Sequence, residues 1–198
     1  MKINLTQNKN FKLFKIISKV AQENNQTVYI VGGYVRDLLM QRKAPTDIDF
    51  VTEQSGIELA KAVGKELGDL KVSVFKTYGT AMIKYQDLDL EFVGARQESY
   101  SEDSRKPAVE TGTLEDDQKR RDFTVNALAI SLNAENFGEL IDPFNGRKDM
   151  QNKILRTPLE PAQTYSDDPL RMMRAIRFAS VLHFEIEKNS LEAIKQEA

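Results

Sequence analysis

The apolar positions in the first half of the chain repeat at two spacings, which predict helices alternating with strands. Apolar residues three and four positions apart indicate helices over residues 11–22, 34–40 and 57–67, and Gly68 suits the C-terminal cap of the last one. Short runs rich in β-branched and aromatic residues predict strands over residues 29–31, 47–51, 71–75, 80–85 and 88–93.

The middle of the chain has a weaker pattern. Residues 95–119 show almost no apolar periodicity and carry many charges, so we predict a solvated loop there. We then expect a helix over residues 123–132, a short strand over 139–141 and a short helix over 149–154.

Beyond Pro158 the apolar spacing is only helical. One helix is predicted from Asp168 to about His183, and a further helix begins near Ser190. Strands and helices followed by helices alone predict a mixed domain over residues 1–157 and a helical segment over residues 158–198.

Composition excludes several classes of protein. The 198 residues contain no cysteine, which excludes disulfides and cysteine-ligated zinc. No run is long enough to span a membrane, and lysines interrupt the apolar positions near the N-terminus, so we expect a cytoplasmic protein without a membrane partner. The net charge of −2 argues against a module that mainly binds nucleic acid, but it allows an enzyme with its basic groups in one cleft.

The sequence GGYVRD follows the first predicted strand and has the character of an anion site. Gly32 and Gly33 allow the backbone to approach a ligand closely, and the N–H groups of the following turn favour a negative charge. Arg36 adds a guanidinium group one helical turn later. The motif therefore predicts a phosphate-binding turn.

Two carboxylates follow on the second predicted strand. Asp47 and Asp49 are two positions apart, so both side chains point to one face while Ile48 and Phe50 point into a core. Like charges this close repel each other unless a cation lies between them, and carboxylate oxygens favour a hard ion such as Mg²⁺. Such a pair alone is more often a solvated strand end, but the preceding glycine turn favours metal binding.

A third carboxylate on a nearby strand would strengthen this site. Glu91 would complete a shared metal site, and Asp89 on the same face is a rival for that role. Either residue taken alone is more often an exposed strand position.

The sequence KRRDFTVNALA supplies a second set of polar residues. Lys and Arg at the start of the predicted helix would oppose the helix dipole, so we expect Arg121 to face an anion such as a triphosphate. Asp122 would cap the helix or accept a hydrogen bond from a ribose hydroxyl, and Asn126 lies on the same side one turn later.

The sequence SDDPLRMMRAIRF places a charged row on one helix. Its members recur every three residues: Asp168, Arg171, Arg174 and Arg177. The simplest interpretation is a solvated surface with ion pairs between neighbouring turns.

The apolar residues of that helix suggest a second interpretation of the row. Leu170, Met173, Ile176 and Phe178 predict that the helix is buried on one side, so its arginine row would line a cleft. A carboxylate and a guanidinium one turn apart can then read the edge of cytosine or adenine.

Six motifs together resemble the class II tRNA nucleotidyltransferase and bacterial poly(A) polymerase family. They are GGYVRD, DIDF, LEFVGAR, KRRDFTVNALA, IDPFNGRKDM and DDPLRMMRAIRFA, and they keep the family order over residues 28–184. The resemblance implies an α+β fold, with a polymerase-β-like nucleotidyltransferase head that has a mixed β-sheet flanked by helices. It also implies an all-α neck after the head; family members continue into body and tail domains, which we expect to be absent from these 198 residues.

The resemblance also implies residue roles. Asp47 and Asp49 would bind Mg²⁺, and Glu91 would be a further catalytic carboxylate. Asp168 and Arg171 would read the incoming base. The implied nucleotide-binding residues are Gly32, Gly33, Arg36, Arg121, Asp122, Asn126, Asp168, Arg171, Arg174 and Arg177.

The implied reaction is the template-independent addition of C and/or A from CTP and ATP to the 3′ end of a tRNA. The motifs serve CCA addition, addition of C or A alone, and poly(A) addition equally well, so these activities stay open. An inactive nucleotide-binding or RNA-binding module is the alternative from another class, and the sequence gives no oligomeric state.

Overall fold

The computed structural model describes residues 1–43, 45–101 and 104–197. Its strands are β1 (Tyr29–Val31), β2 (Asp47–Thr52), β3 (Val72–Phe75), β4 (Thr80–Tyr85), β5 (Leu88–Gly94), β6 (Arg96–Ser101), β7 (Ser104–Thr111), β8 (Ala129–Ser131), β9 (Leu140–Ile141), β10 (Ile154–Leu155) and β11 (Glu185–Ile186). Its α-helices are α1 (Phe11–Glu23), α2 (Gly33–Leu39), α3 (Gly56–Glu66), α4 (Leu114–Lys119), α5 (Gly146–Asn152), α6 (Pro161–Asp167), α7 (Leu170–Leu182) and α8 (Lys188–Glu197).

A seven-stranded mixed sheet is the centre of the fold. Its strand order is β3-β4-β5-β2-β1-β8-β9, and β2 and β5 run parallel whereas the other neighbours are antiparallel. The α+β expectation of a mixed sheet flanked by helices is therefore confirmed. The strands predicted over residues 29–93 and the first three helices are all present, within a few residues of their predicted ends.

Successive side chains of β2 point alternately into the core and toward the candidate site. Ile48 and Phe50 are completely buried, and the ring of Phe50 stacks on Phe92 of β5 at 5.0 Å between centroids. Helices α1 and α3 cover this face. Because neighbouring residues of a strand point to opposite faces, Asp47 and Asp49 project away from the core.

The prediction of a loop over residues 95–119 was wrong. Strands β6 and β7 pair as an antiparallel ribbon, with Arg96 opposite Thr111, and α4 follows. A two-stranded ribbon outside the main sheet needs no strong apolar alternation, which explains the missing signal. The start of α4 had a readable signal, since Thr113 and Asp116 form a reciprocal capping box.

The predicted helix over residues 123–132 was also wrong. A 3₁₀ turn (Thr124–Asn126) leads instead into β8, which pairs with β1 through Ile130 opposite Ile30. Residues 127–132 are all buried, and a short run that is buried all round cannot be assigned to helix or strand from periodicity alone. The basic residues before it follow the last turn of α4, where cations suit the helix dipole, so the dipole argument for an anion does not hold.

The C-terminal segment begins with an unpredicted helix. Helix α6 starts at Pro161, a favourable first position because proline has no N–H to satisfy. The predicted helices correspond to α7 and α8, and the short helix expected over residues 149–154 is α5 followed by β10.

The segment is not all-α, which corrects the expectation. Strand β11 pairs in parallel with β10, so residues on both sides of position 157 share one small sheet. The boundary between residues 157 and 158 stays a prediction.

The apolar residues expected to bury α7 mostly face solvent. The buried face consists of Ala175, Phe178 and Leu182. Leu170, Met173 and Ile176 are 70%, 66% and 55% exposed, because a rotation of about 100° per residue turns them away from that face. None of the helices in the described part of the chain is long and apolar enough to cross a membrane.

Candidate active site

A cavity of about 580 Å³ lies where α2, the start of β2, the segment after α4 and α7 meet. Every predicted site residue except Glu91 lines it: Gly32, Gly33, Arg36, Asp47, Asp49, Arg121, Asp122, Asn126, Asp168, Arg171, Arg174 and Arg177. Sequence reasoning missed further lining residues, namely Tyr34, Asp37, Pro45, Arg120 and Phe178. The carboxylates of β2 and the arginine row of α7 therefore face one hollow.

At the turn between β1 and α2, Gly32 brings the backbone close to the side chains of Arg121 and Asp49. Its φ of +72° is in the left-handed region that favours glycine. A Cβ atom there would lie 3.0 Å from Nη1 of Arg121 and 3.5 Å from Oδ2 of Asp49. The backbone conformation therefore favours glycine, and an added Cβ atom would also press on the Arg121 side chain.

The two aspartates of β2 differ in environment. Asp47 is exposed at the start of the strand, whereas Asp49 is partly buried. Burial raises the pKa of Asp49, nearby Arg121 opposes this, and the negative charge of Asp47 raises it further. A cation between these carboxylates would relieve their repulsion.

Glu91 lies opposite Asp49 in the parallel pairing of β2 and β5. Its pKa is raised by burial and by the charge of Asp49. The rival Asp89 lies opposite Asp47 but forms an ion pair with Lys84 at 3.2 Å. Among the described residues, no three histidine, cysteine or acidic side chains are grouped closely enough to hold a metal ion, so the role of Glu91 stays a prediction.

Arg121 is held in the cavity wall by Asp117, which sequence reasoning missed. The Asp117 side chain is completely buried, and its Oδ2 accepts hydrogen bonds from Nε and Nη2 of Arg121 at 3.0 and 2.8 Å. Its Oδ1 accepts from Arg120. Burial alone would raise the pKa of Asp117, but Arg121 and Arg120 hold it below the usual range. The spacing of three and four residues within a helix was the available signal.

A chain of hydrogen bonds joins α2 to α7 across the cavity. Nη1 of Arg36 donates to Oδ1 of Asn126 at 2.7 Å, and Nδ2 of Asn126 donates to Oδ1 of Asp122 at 3.0 Å. Oδ2 of Asp122 accepts from Nη2 of Arg174 at 2.6 Å. Oδ1 of Asp122 also accepts from the N–H of Phe123, the residue before the 3₁₀ turn, at 2.8 Å.

The predicted base-reading pair lies at the start of α7. Nε of Arg171 is 3.7 Å from Oδ2 of Asp168, and its Nη2 donates to the carbonyl oxygen of Arg120 at 2.8 Å. The Arg171 side chain is only 11% exposed, whereas that of Asp168 is 40% exposed. The guanidinium group is therefore held in one orientation, with a more open carboxylate beside it.

Comparison with known proteins places this geometry in a family. Residues 28–156 match the profile described as the poly(A) polymerase head domain. The A-adding tRNA nucleotidyltransferase of Aquifex aeolicus (strain VF5) is 44% identical over 168 residues, which are 85% of this chain and 20% of that protein.

Solved structures show the same fold. The CCA-adding enzyme in its apo form II superposes with a TM-score of 0.87 at 36% identity over 96% of this chain and 44% of that one. A tRNA nucleotidyltransferase complexed with a primer tRNA and an incoming ATP analogue gives a TM-score of 0.81 at 39% identity over 91% of this chain. The present chain spans 49% of that structure and a fifth of the Aquifex protein. Family profile, sequence identity and fold agree that this chain belongs to the tRNA nucleotidyltransferase and poly(A) polymerase family, whose head domain it contains.

Proposed function

We propose that this chain carries the catalytic head of a template-independent RNA nucleotidyltransferase. It would add C and/or A from CTP and ATP to the 3′ end of a tRNA and release pyrophosphate. The observation that carries the proposal is the shared cavity, in which Asp47 and Asp49 face the arginine row of α7. A family relative complexed with a primer tRNA and an ATP analogue supports the choice of substrates.

The residues present fit a divalent cation. Asp47 and Asp49 offer oxygen ligands from one strand face, and the pKa of Asp49 is raised partly by the charge of Asp47. Hard cations such as Mg²⁺ prefer such ligands and usually add substrate phosphates to one or two carboxylates. When bound there, in a two-metal arrangement, Mg²⁺ would activate the RNA 3′-hydroxyl and stabilise charge on the leaving pyrophosphate.

The arginines of the cavity would bind the triphosphate. Arg36, Arg121, Arg174 and Arg177 come from three parts of the chain and converge on one space of about 580 Å³. Fixed guanidinium groups stabilise charge that spreads over phosphate oxygens during transfer. The turn at Gly32 and Gly33 lets the backbone approach the same phosphates.

Asp168 and Arg171 would select the base. A carboxylate accepts from the amino group of cytosine or adenine, and a guanidinium donates to the neighbouring ring nitrogen. Because Arg171 is held by the carbonyl of Arg120, its orientation would be set by the protein before the nucleotide arrives.

The direct test is nucleotide incorporation into a tRNA that lacks its 3′ terminus, with labelled CTP or ATP and Mg²⁺. Incorporation of C supports CCA or C addition, a single A supports A addition, and long A tracts support poly(A) addition. Asp47→Ala should abolish incorporation. The matched control is Asp89→Ala, which removes a carboxylate opposite Asp47 on the next strand and should retain activity.

Calorimetry separates the enzyme from an inactive binding module. An active head should bind CTP or ATP more tightly with Mg²⁺ than without it and should release pyrophosphate when RNA is added. Metal-independent binding without pyrophosphate release would contradict the proposal.

A further inference from the structure

The ring of Phe178 lies in the wall of the cavity and has three guanidinium groups around it. The Cζ atoms of Arg36, Arg174 and Arg177 lie 5.3, 5.3 and 5.2 Å from its centroid. The residue is only 8% exposed, and its ring packs edge-to-face on Phe123 at 5.9 Å between centroids. The ring therefore packs against Phe123 and lies close to three cations.

These three cations come from two helices and repel each other. Arg36 belongs to α2, whereas Arg174 and Arg177 belong to α7. Arg36 is paired with Asp37 and Arg174 with Asp122. Within the part of the chain that the structure describes, Arg177 has no carboxylate at ion-pair distance, and its guanidinium group lies over the ring.

An aromatic face attracts cations because its quadrupole is negative, and arginine is the cation that most often uses it. Each such contact contributes modestly where water reaches it and more where water is excluded. A buried ring shared by three arginines thus offsets part of their repulsion without neutralising them. An acidic residue in the same place would also hold them, but it would compete with an incoming phosphate.

We propose that Phe178 is a positioning residue that gathers Arg36, Arg174 and Arg177 for the polyphosphate group of the nucleotide. The inference rests on the proposed function insofar as the anion is a nucleoside triphosphate. The ring acts through the arginines, whose orientation before binding reduces the ordering cost of the complex. It does not contact the reacting atoms.

Fluorination of the ring tests this with almost no change of shape. Nonsense suppression places 4-fluoro, 3,5-difluoro and 3,4,5-trifluorophenylalanine at position 178 alone, and each fluorine weakens the negative face of the ring. Calorimetry then measures binding of inorganic tripolyphosphate and of ATP, both with Mg²⁺. We expect the Kd to rise stepwise, by about fivefold in total for the trifluoro ring. The rise should be equal for both ligands, since tripolyphosphate has no base.

The matched control is the same series at Phe123. That ring is completely buried and belongs to the same aromatic pair, but among the described residues no guanidinium group lies over it. Its fluorination should leave both Kd values unchanged. Thermal unfolding of each variant checks that the fold is retained.

Three outcomes would contradict the inference. A fluorine dependence for ATP but not for tripolyphosphate would mean that the ring contacts the base. Unchanged affinities for both ligands, with the natural ring still binding them, would mean that Phe178 only fills the core. If the unmodified protein bound neither ligand, the proposed function would fail together with this inference.

Discussion

Asp117 fixes the guanidinium group of Arg121 beside Asp49. The carboxylate is completely buried one turn before Arg121, and two of its hydrogen bonds orient that side chain. Nη1 is then left to point toward Gly32 and to donate to the carbonyl oxygen of Asn126 at 3.5 Å. A residue that does not line the cavity therefore determines where one of its cations lies.

Replacing Asp117 with Asn should destabilise the fold strongly. The substitution keeps the shape but leaves Arg120 and Arg121 without their buried charge partner, and breaking such a buried ion pair costs about 3–5 kcal/mol. Urea unfolding at pH 7 measures the change in the free energy of unfolding. Glu115→Gln is the control, because its ion pair with Lys119 is exposed and should contribute under about 1 kcal/mol. Equal effects of the two substitutions would contradict the positioning role.

The ion pair between Asp117 and Arg121 also predicts that the stability of the fold depends on pH. The pKa of Asp117 is lowered from its ordinary value of 3.8, so its contribution is fully present above that value and is lost as the pH falls through the lowered pKa. The difference in stability between the unchanged protein and Asp117→Asn should therefore shrink in acid below about pH 4. A difference that stays constant down to pH 2 would show that the charge is not responsible.

The charge of Asp49 is expected to affect stability in the opposite direction to that of Asp117. Burial raises its pKa in the folded state, so the folded protein binds that proton more tightly than the unfolded chain does. The charge of Asp49 thus costs stability at pH 7, and this cost decreases as the pH falls through the raised folded pKa and is absent below the ordinary value of 3.8. Asp49→Asn should be more stable than the unchanged protein at pH 7, with a smaller gain in acid, and it should lose nucleotide incorporation.

Urea unfolding at several pH values measures this gain, and Asp89→Asn is the control. Asp89 lies on the same face but is paired with Lys84 in a more open position, so its substitution should not stabilise the protein. Destabilisation by Asp49→Asn at neutral pH would mean that the attraction between Asp49 and Arg121 outweighs burial.

A substitution at Gly32 tests whether the close approach of the backbone to Arg121 matters for stability and triphosphate binding. Gly32→Ala meets both an unfavourable φ of +72° and a Cβ contact of 3.0 Å with Arg121, so we expect a loss of about 1–3 kcal/mol of stability and weaker triphosphate binding. Gly79→Ala is the matched control, since its φ is +61° and nothing lies within 4 Å of the added Cβ. Gly79 has a ψ of 23° and is in the αL region, whereas Gly32 has a ψ of −137°, so Gly79→Ala should lose less stability and should have no effect on binding. Calorimetry and urea unfolding of both variants separate the two causes.

Local chemistry in the sequence indicated the candidate site residues, whose roles stay predictions. The glycine turn, the paired aspartates and the arginine row can each be recognised from a short stretch of sequence. The structure brings them to one cavity. Asp117 and Phe178 were missed because each is expected to act by positioning arginine side chains, and these contacts are not visible in the sequence. Asp117 has the spacing of an ordinary helix ion pair, and Phe178 resembles any apolar residue on a buried face.

The differences between the sequence predictions and the structure have three separate physical causes. Strand β8 lies between β1 and β9 and all three of its residues are buried, so the alternation of buried and exposed positions disappears. Strands β6 and β7 pair only with each other, so no period was imposed on them. On α7 the apolar residues 170, 173 and 176 repeat at a spacing that is helical, but the spacing does not say which face meets the core.

Arg171→Ala should change the choice of base more than the affinity for triphosphate. The side chain is anchored to the carbonyl of Arg120 and lies beside Asp168 at the start of α7, whereas Arg174 is bound to Asp122 deeper along the helix. We expect the ratio of kcat/KM for CTP and ATP to move by about 10-fold or more in Arg171→Ala, because a lost polar contact leaves the remaining groups of the site unpaired. Arg174→Ala is the contrasting variant and should weaken both nucleotides and tripolyphosphate alike. Competition between labelled CTP and ATP on one RNA primer measures the preference, and an unchanged ratio in Arg171→Ala would remove it from base selection.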